Sequence, residues 1–279
     1  MRTSRLRRRR GFGGARLMIA MGIAAFSLVS YCASGQENPV TGEMQHVSMS
    51  PDQEIAIGLQ AAPQMAAQHG GLHPSQEAQA MVDRVGQRLV SSTAARQTPY
   101  QYDFHVLADE RAINAFALPG GQVFITAALL SRLETEGQLA GVLGHEIGHV
   151  VARHSAEHLA KAKLTQGLTG AAVIAAYDPS NPSSGASAAL VAAIGKVVNM
   201  KFGRDDELES DRLGVRFSSQ AGYNPLAMVG LMRILAEAGG GGRRSEFFST
   251  HPNPDRRIER IEQAVAEQFP NGVPAELMR

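Results

Sequence analysis

The sequence predicts an α+β fold, mainly helical, with one small sheet. Helical periodicity recurs along most of the chain, strand-type alternation is confined to residues 102–126, and Pro119-Gly120-Gly121 punctuates that stretch as a hairpin turn would. At 279 residues and 44% hydrophobic content the chain can bury a sizeable core. No internal repeat or clean boundary divides it.

The first 35 residues form a basic region, an uncharged apolar run from Leu17 to about Tyr31, and then small residues, the architecture of an export signal. The run is short for a membrane span, although it could serve as an uncleaved anchor. Cys32 is the one cysteine, so no intramolecular disulfide can form. Following Leu28, Val29 and Ser30, it resembles the cysteine of a bacterial lipobox and is the candidate lipid anchor, with Tyr31 departing from the small residue usual there. Residues 36–49 read as a polar surface arm, 50–270 as the folded domain and 271–279 as a tail.

Within the domain, Ser50-Pro51 opens a helix, and a second helix over residues 74–91 carries Met81, Val82, Val85 and Leu89 on one face. Tyr102–Ala108 alternates as a strand. The stretch NAFALPGGQVFITAALL then gives a strand, a turn and a second strand, followed by helix from Leu129. One long helix is predicted from Thr135 to about Lys163. Residues 165–198 are rich in Ala and Gly and read as a helical hairpin or flap, each half too short to cross a bilayer. Further helices are expected over Asp205–Ala221 and after Tyr223-Asn224-Pro225, with a break at Gly239–Gly242.

The formal charge is +1, but seven arginines lie in the first 16 residues; without them 20 basic side chains face 26 acidic ones. The folded part therefore lacks the basic excess that a nucleic-acid partner requires.

Four histidines, His145, His149, His154 and His158, fall on the predicted long helix. At 100° per residue, His149 lies about 40° and Glu146 about 100° from His145, so these three share one side, whereas His154 and His158 sit about 180° and 220° away. The pair His145/His149 with Glu146 is the HExxH pattern: two neutral imidazoles hold a zinc ion and the glutamate stands beside the open position as general base. His154 and His158 cannot join them without breaking the helix and are expected to face solvent or a neighbouring element. A third ligand must come from elsewhere. In Glu207-Leu208-Glu209-Ser210-Asp211, Glu207 and Asp211 share a helix face, so Glu207 could bind the metal while Asp211 steers a histidine; alone, such a run reads as a solvated acidic face.

HEIGH, E-L-E-S-D, the upstream NAFALPGG, the HPNPDRRI segment at His251–Ile258 and NPVTG at Asn38–Gly42 together resemble the gluzincin metallopeptidases of the HtpX and CAAX prenyl protease type, in their bacterial envelope branch of BepA-like and LoiP-like proteins. The resemblance covers about residues 38–265. It implies a zincin-type domain with its small sheet beside the HExxH helix, one Zn²⁺ held by His145, His149 and Glu207, and Glu146 as general base. It departs at Ser210, where the family usually has alanine. It also implies an envelope endopeptidase acting on unfolded or misassembled proteins. The competing reading is an assembly chaperone or binding module with a mainly structural zinc site.

Three further assignments follow. By the resemblance, His251 is a fourth ligand that switches the enzyme off by filling the open position, or else a loop histidine bonded locally. Arg257 is either a substrate contact or an ordinary salt-bridge partner. If the strand containing Val123 lies at a sheet edge, an extended peptide could add to it, with Gly120 and Gly121 keeping the approach uncrowded.

Overall fold

The computed structural model describes residues 12–176, 201–239, 246–252 and 256–278. The elements in chain order are α1 (Phe12–Ala33), β1 (Gly35–Glu37), β2 (Met44–His46), α2 (Pro51–Gln68), α3 (Gln76–Ser92), β3 (Asp103–Leu107), β4 (Ala115–Ala117), β5 (Gln122–Thr126), α4 (Ala127–Leu130), α5 (Glu136–Val151), α6 (His154–Ala176), α7 (Arg204–Gln220), α8 (Ala227–Gly239), α9 (Phe247–Thr250) and α10 (Arg257–Gln268). Helix predominates, as the sequence predicts.

Local chemistry explains the helix starts. Ser50 and Gln53 form a capping box at the head of α2, with Pro51 in the first turn, and Ser75 caps α3. Helix α3 buries Val82, Val85 and Leu89 at helical spacing. Helix α5 is buried all round, from Gly137 to Val151. It is the central pillar, and glycines let its main partner approach closely. A Cβ on Gly148 would lie 3.2 Å from the Ser210 Cα, and one on Gly144 3.4 Å from the Gly214 Cα, so α7 lies directly against α5.

The sheet has the order β3-β5-β4, with β3 and β5 parallel and β5 and β4 antiparallel. The hairpin around Pro119-Gly120-Gly121 is as predicted. Val123, however, sits in β5, the central strand, and not at an edge. Both of its sides are taken, by β3 and by β4, so no peptide can add to it; of the two hairpin strands, β4 is the one at an edge of the sheet. Gly120 and Gly121 also serve packing and backbone conformation. Their φ values are +83° and +108°, and a Cβ on Gly120 would come 2.4 Å from the Ile55 Cα.

The predicted long helix from Thr135 to Lys163 is two helices. Helix α5 ends at Val151, Arg153 takes a left-handed φ of 59°, and α6 starts at His154. No Gly or Pro marks this break; distant residues hold it. The carbonyls at the end of α5 need partners, and the N-terminal arm provides them: the Asn38 side chain donates to the Val151 carbonyl at 2.9 Å and Gln45 donates to that of Ala152. Arg153 donates to the Met49 carbonyl and to the buried Glu54, which also accepts from the Tyr100 hydroxyl. The stretch expected as a surface arm is thus a β1–β2 ribbon with Asn38 and Gln45 buried.

Helix α1 packs along α6, where Ser27 meets Gly167, and it exposes Leu17, Met18, Ile19, Met21, Phe26, Leu28 and Val29. Gly14–Ala33 is long and apolar enough to cross a membrane. The expected hairpin or flap over 165–198 is helix α6 as far as Ala176; the remainder lies outside the described residues. At the other end, Met278 of the expected tail exchanges backbone hydrogen bonds with Gly222 and Asn224.

Candidate metal centre

Four side chains from three places in the fold converge. Helix α5 brings His145 and His149, α7 brings Glu207, and the residue that ends α9 brings His251; all four are buried. Their ligand atoms lie within 4.8 Å of one another. The Nε2 atoms of His145 and His149 are 3.1 Å apart, each is 3.5 Å from a Glu207 oxygen, and the His145 Nε2 is 3.4 Å from the His251 Nδ1.

These separations fit a metal. Ligands at 2.0–2.1 Å from a tetrahedral ion lie about 3.3 Å from each other. The donor set agrees: imidazole nitrogens and a carboxylate are the atoms that such ions take. Glu207 is 0% exposed, and although burial pushes the other way, the neighbouring imidazoles, His251 first, hold its carboxyl well below the usual carboxylate range.

Glu146 sits beside this cluster with both carboxylate oxygens buried and without a hydrogen-bond partner, the nearer one 3.6 Å from the His251 Nε2. Burial raises its pKa.

A supporting layer surrounds these groups. The His145 Nδ1 lies 2.9 Å from an Asp211 oxygen. Burial alone would lower the pKa of His145, but Asp211 and Glu207 outweigh it and raise it to about 9. Arg257, weighed above as a substrate contact, is buried. Its Nε and one terminal nitrogen donate to the two Asp211 oxygens at 2.7 and 2.8 Å, and its other terminal nitrogen is 3.1 Å from Glu207. A guanidinium held this way is engaged chiefly by carboxylates of the protein, although its Nη1 makes no hydrogen bond.

The structure also returns a histidine that helix geometry set aside. Because the helix breaks at Arg153, His154 turns inward and is buried, its Nδ1 2.8 Å from the His149 Nδ1 and its Nε2 3.1 Å from a Glu209 oxygen. His158 reaches the same neighbouring helix, α7, through Asp206. Two aromatic residues were also missed. Phe202 stacks on His149 with ring centres 3.9 Å apart, and Phe247 stacks on His251 at 4.4 Å. A faint signal existed for the first, an isolated aromatic five residues before Glu207; Phe247 had none.

The family model described as "Peptidase family M48" matches residues 76–265, a span that contains every residue of the cluster. The chain belongs to peptidase family M48. It is a metallopeptidase, and its His145–His149–Glu207–His251 cluster is the candidate metal site of an M48 enzyme. Among curated relatives, the beta-barrel assembly-enhancing protease of Yersinia pestis is 29% identical over 84% of this chain and 48% of its own length. The protein of the same name from Escherichia coli K12 is 31% identical over 63% of this chain and 37% of its own. The mitochondrial metalloendopeptidase OMA1 of Schizosaccharomyces pombe is 32% identical over 82% of this chain and 66% of its own. The chain thus spans half or less of the length of the two bacterial relatives.

In this M48 fold, Ala117, Leu118 and Pro119 at the end of β4 share a small open pocket with Glu54, His149 and Arg153. The edge strand therefore runs beside the metal helix.

Proposed function

We propose that this M48 peptidase is a zinc-dependent endopeptidase of the bacterial cell envelope that hydrolyses unfolded or misassembled proteins. The observation that carries the reading is Glu146, a fully buried carboxylate with two unpartnered oxygens next to a metal-type cluster. A purely structural site has no use for such a group, whereas hydrolysis needs a base there.

His145, His149 and Glu207 would hold one zinc ion, which supplies Lewis acidity, polarising the scissile carbonyl and acidifying water. Glu146 takes the proton of the attacking water and later delivers it to the leaving amine. Its raised pKa brings its proton affinity closer to the range in which both transfers are easy. Asp211, clamped by Arg257, accepts the Nδ1 proton of His145 and so keeps Nε2 turned to the metal.

His251 lies within the same ligand cluster, which supports a regulatory role: as a fourth ligand it would fill the position that substrate chemistry requires and would have to leave for turnover. The same arrangement favours the second reading, an assembly chaperone whose site stays closed. For substrate, the edge strand β4 beside His149 supports binding of an extended chain through backbone hydrogen bonds, which tolerates varied side chains and suits unfolded clients. An apolar segment preceded by arginines supports membrane attachment at the N-terminus, with Cys32, exposed at the end of α1, as the lipid anchor.

The test is cleavage of unfolded casein by the wild type and Glu146→Gln. The wild type should cleave and the variant should not. Equal cleavage removes Glu146 from its role, and an inactive wild type that still binds unfolded clients favours the chaperone.

A further inference from the structure

We propose that His154 is a positioning residue for the metal centre: it holds His149 in metal-binding orientation and is itself held by Glu209, forming a Glu209–His154–His149 relay behind the site. The inference rests on reading His149 as a metal ligand.

The argument begins with what a ligating histidine needs. Once Nε2 faces the metal cluster, Nδ1 must carry the proton, and that N–H requires a buried acceptor that also fixes the ring plane. For His145 the acceptor is Asp211. For His149 the nearest polar atom to Nδ1 is the His154 Nδ1, at 2.8 Å. If His149 donates, His154 Nδ1 is the lone-pair nitrogen and its Nε2 must bear the proton. The structure places a carboxylate there: Glu209 Oε2 lies 3.1 Å from His154 Nε2. Each proton along the chain then has an acceptor and no tautomer conflicts with another; the Ser210 hydroxyl, 3.4 Å from the His154 Nδ1, is a second and longer donor to the same lone pair.

The fold devotes considerable structure to this contact. In an unbroken helix His154 would point about 140° away from His149. The left-handed Arg153 turns it inward, and five interactions hold that turn: Asn38 and Gln45 on the last α5 carbonyls, and Arg153 with Glu54, Met49 and, through Glu54, Tyr100. Phe202 stacks on a face of the His149 ring, so the imidazole is fixed in plane by stacking and in rotation by His154 at its edge. The carboxylate comes from α7, the helix that supplies Glu207 and Asp211, so one helix serves both histidines.

The experiment compares His154→Leu, His154→Asn and Glu209→Gln in the full chain. The readouts are zinc affinity by competition with a chromogenic chelator and the visible spectrum of the cobalt-loaded protein. Asparagine carries an oxygen where His154 has Nδ1 and can still accept from His149; leucine fills space without accepting. His154→Leu should weaken metal binding about 10–100-fold and shift the cobalt bands, His154→Asn should restore most of the affinity, and Glu209→Gln should show a smaller loss in the same direction. A role in packing alone would give Leu and Asn equal effects and leave Glu209→Gln unchanged, and that result overturns the proposal. If His154→Leu does not fold, the Asn and Gln variants decide: wild-type affinity in Glu209→Gln, or affinity in His154→Asn as poor as in a His149→Ala control, overturns it. Wild-type protein that takes up no metal would instead overturn the metal reading of the site.

Discussion

Replacing Arg153 with methionine tests how the α5–α6 break is held. The Arg153 side chain is 12% exposed and that of its partner Glu54 2%. Methionine keeps much of the apolar stem but removes the guanidinium, leaving Glu54 with the Tyr100 hydroxyl at 3.1 Å as its remaining side-chain partner. Removing one member of a buried ion pair costs about 3–5 kcal/mol. The surviving hydrogen bond offsets about 1 kcal/mol of that, so Arg153→Met should destabilise the chelated protein by about 2–4 kcal/mol in urea unfolding followed by far-UV circular dichroism. The loss should depend on pH. Burial already raises the pKa of Glu54, and Arg153 is the main group opposing it. Without Arg153 the folded-state pKa rises further above its unfolded value, so the charged carboxylate penalises the fold and the deficit grows as pH increases from 5 to 8. Combining the change with Glu54→Gln should cost less than the two singles added, because the buried charge is then gone. A deficit under about 1 kcal/mol, or one that shrinks with rising pH, would refute the claim that this ion pair secures the break.

Other outcomes are open to direct measurement. Glu207→Ala should lose most of its bound zinc by elemental analysis, and chelation of the wild type should abolish casein cleavage; zinc retained at full stoichiometry by the variant would remove Glu207 from the ligand set. His251→Ala should keep or increase cleavage of unfolded substrate, whereas complete loss would make it part of the catalytic machinery. Gly58→Ala places a methyl group 2.0 Å from the Pro119 carbonyl and should destabilise by about 1–3 kcal/mol, displacing the β4–β5 turn. Gly170→Ala meets nothing within 4 Å and should be neutral or stabilising by up to about 1 kcal/mol, so equal effects at the two glycines would count against the packing argument.

The site was legible where chemistry is local. A helical turn links His145 to His149 and Glu207 to Asp211, and the i, i+4 rule places each pair correctly without tertiary information. The parts that were not legible depend on residues distant in sequence. Nothing in Ala152-Arg153 announces a break, since its causes, Asn38, Gln45 and Glu54, lie about 100 residues upstream. A helical wheel drawn through that point necessarily sent His154 the wrong way. The strand with Val123 looked available because its own residues say nothing about β3, which pairs along its other side in parallel. Arg257 in a polar HPNPDRRI segment reads equally as a salt-bridge partner or a substrate contact, and nothing local says that its partners are Asp211 and Glu207 on another helix.

The bond from Asn38 to the Val151 carbonyl also sets a distance. Asn38 follows Cys32 by six residues, a span of no more than about 21 Å even fully extended. With the N-terminal attachment proposed above, by α1 or by a lipid on Cys32, the end of the metal helix would be tethered within that length of the attachment point. The reach of the enzyme would then be set by a ruler built into its fold, and clients would have to come to the membrane surface to be cut.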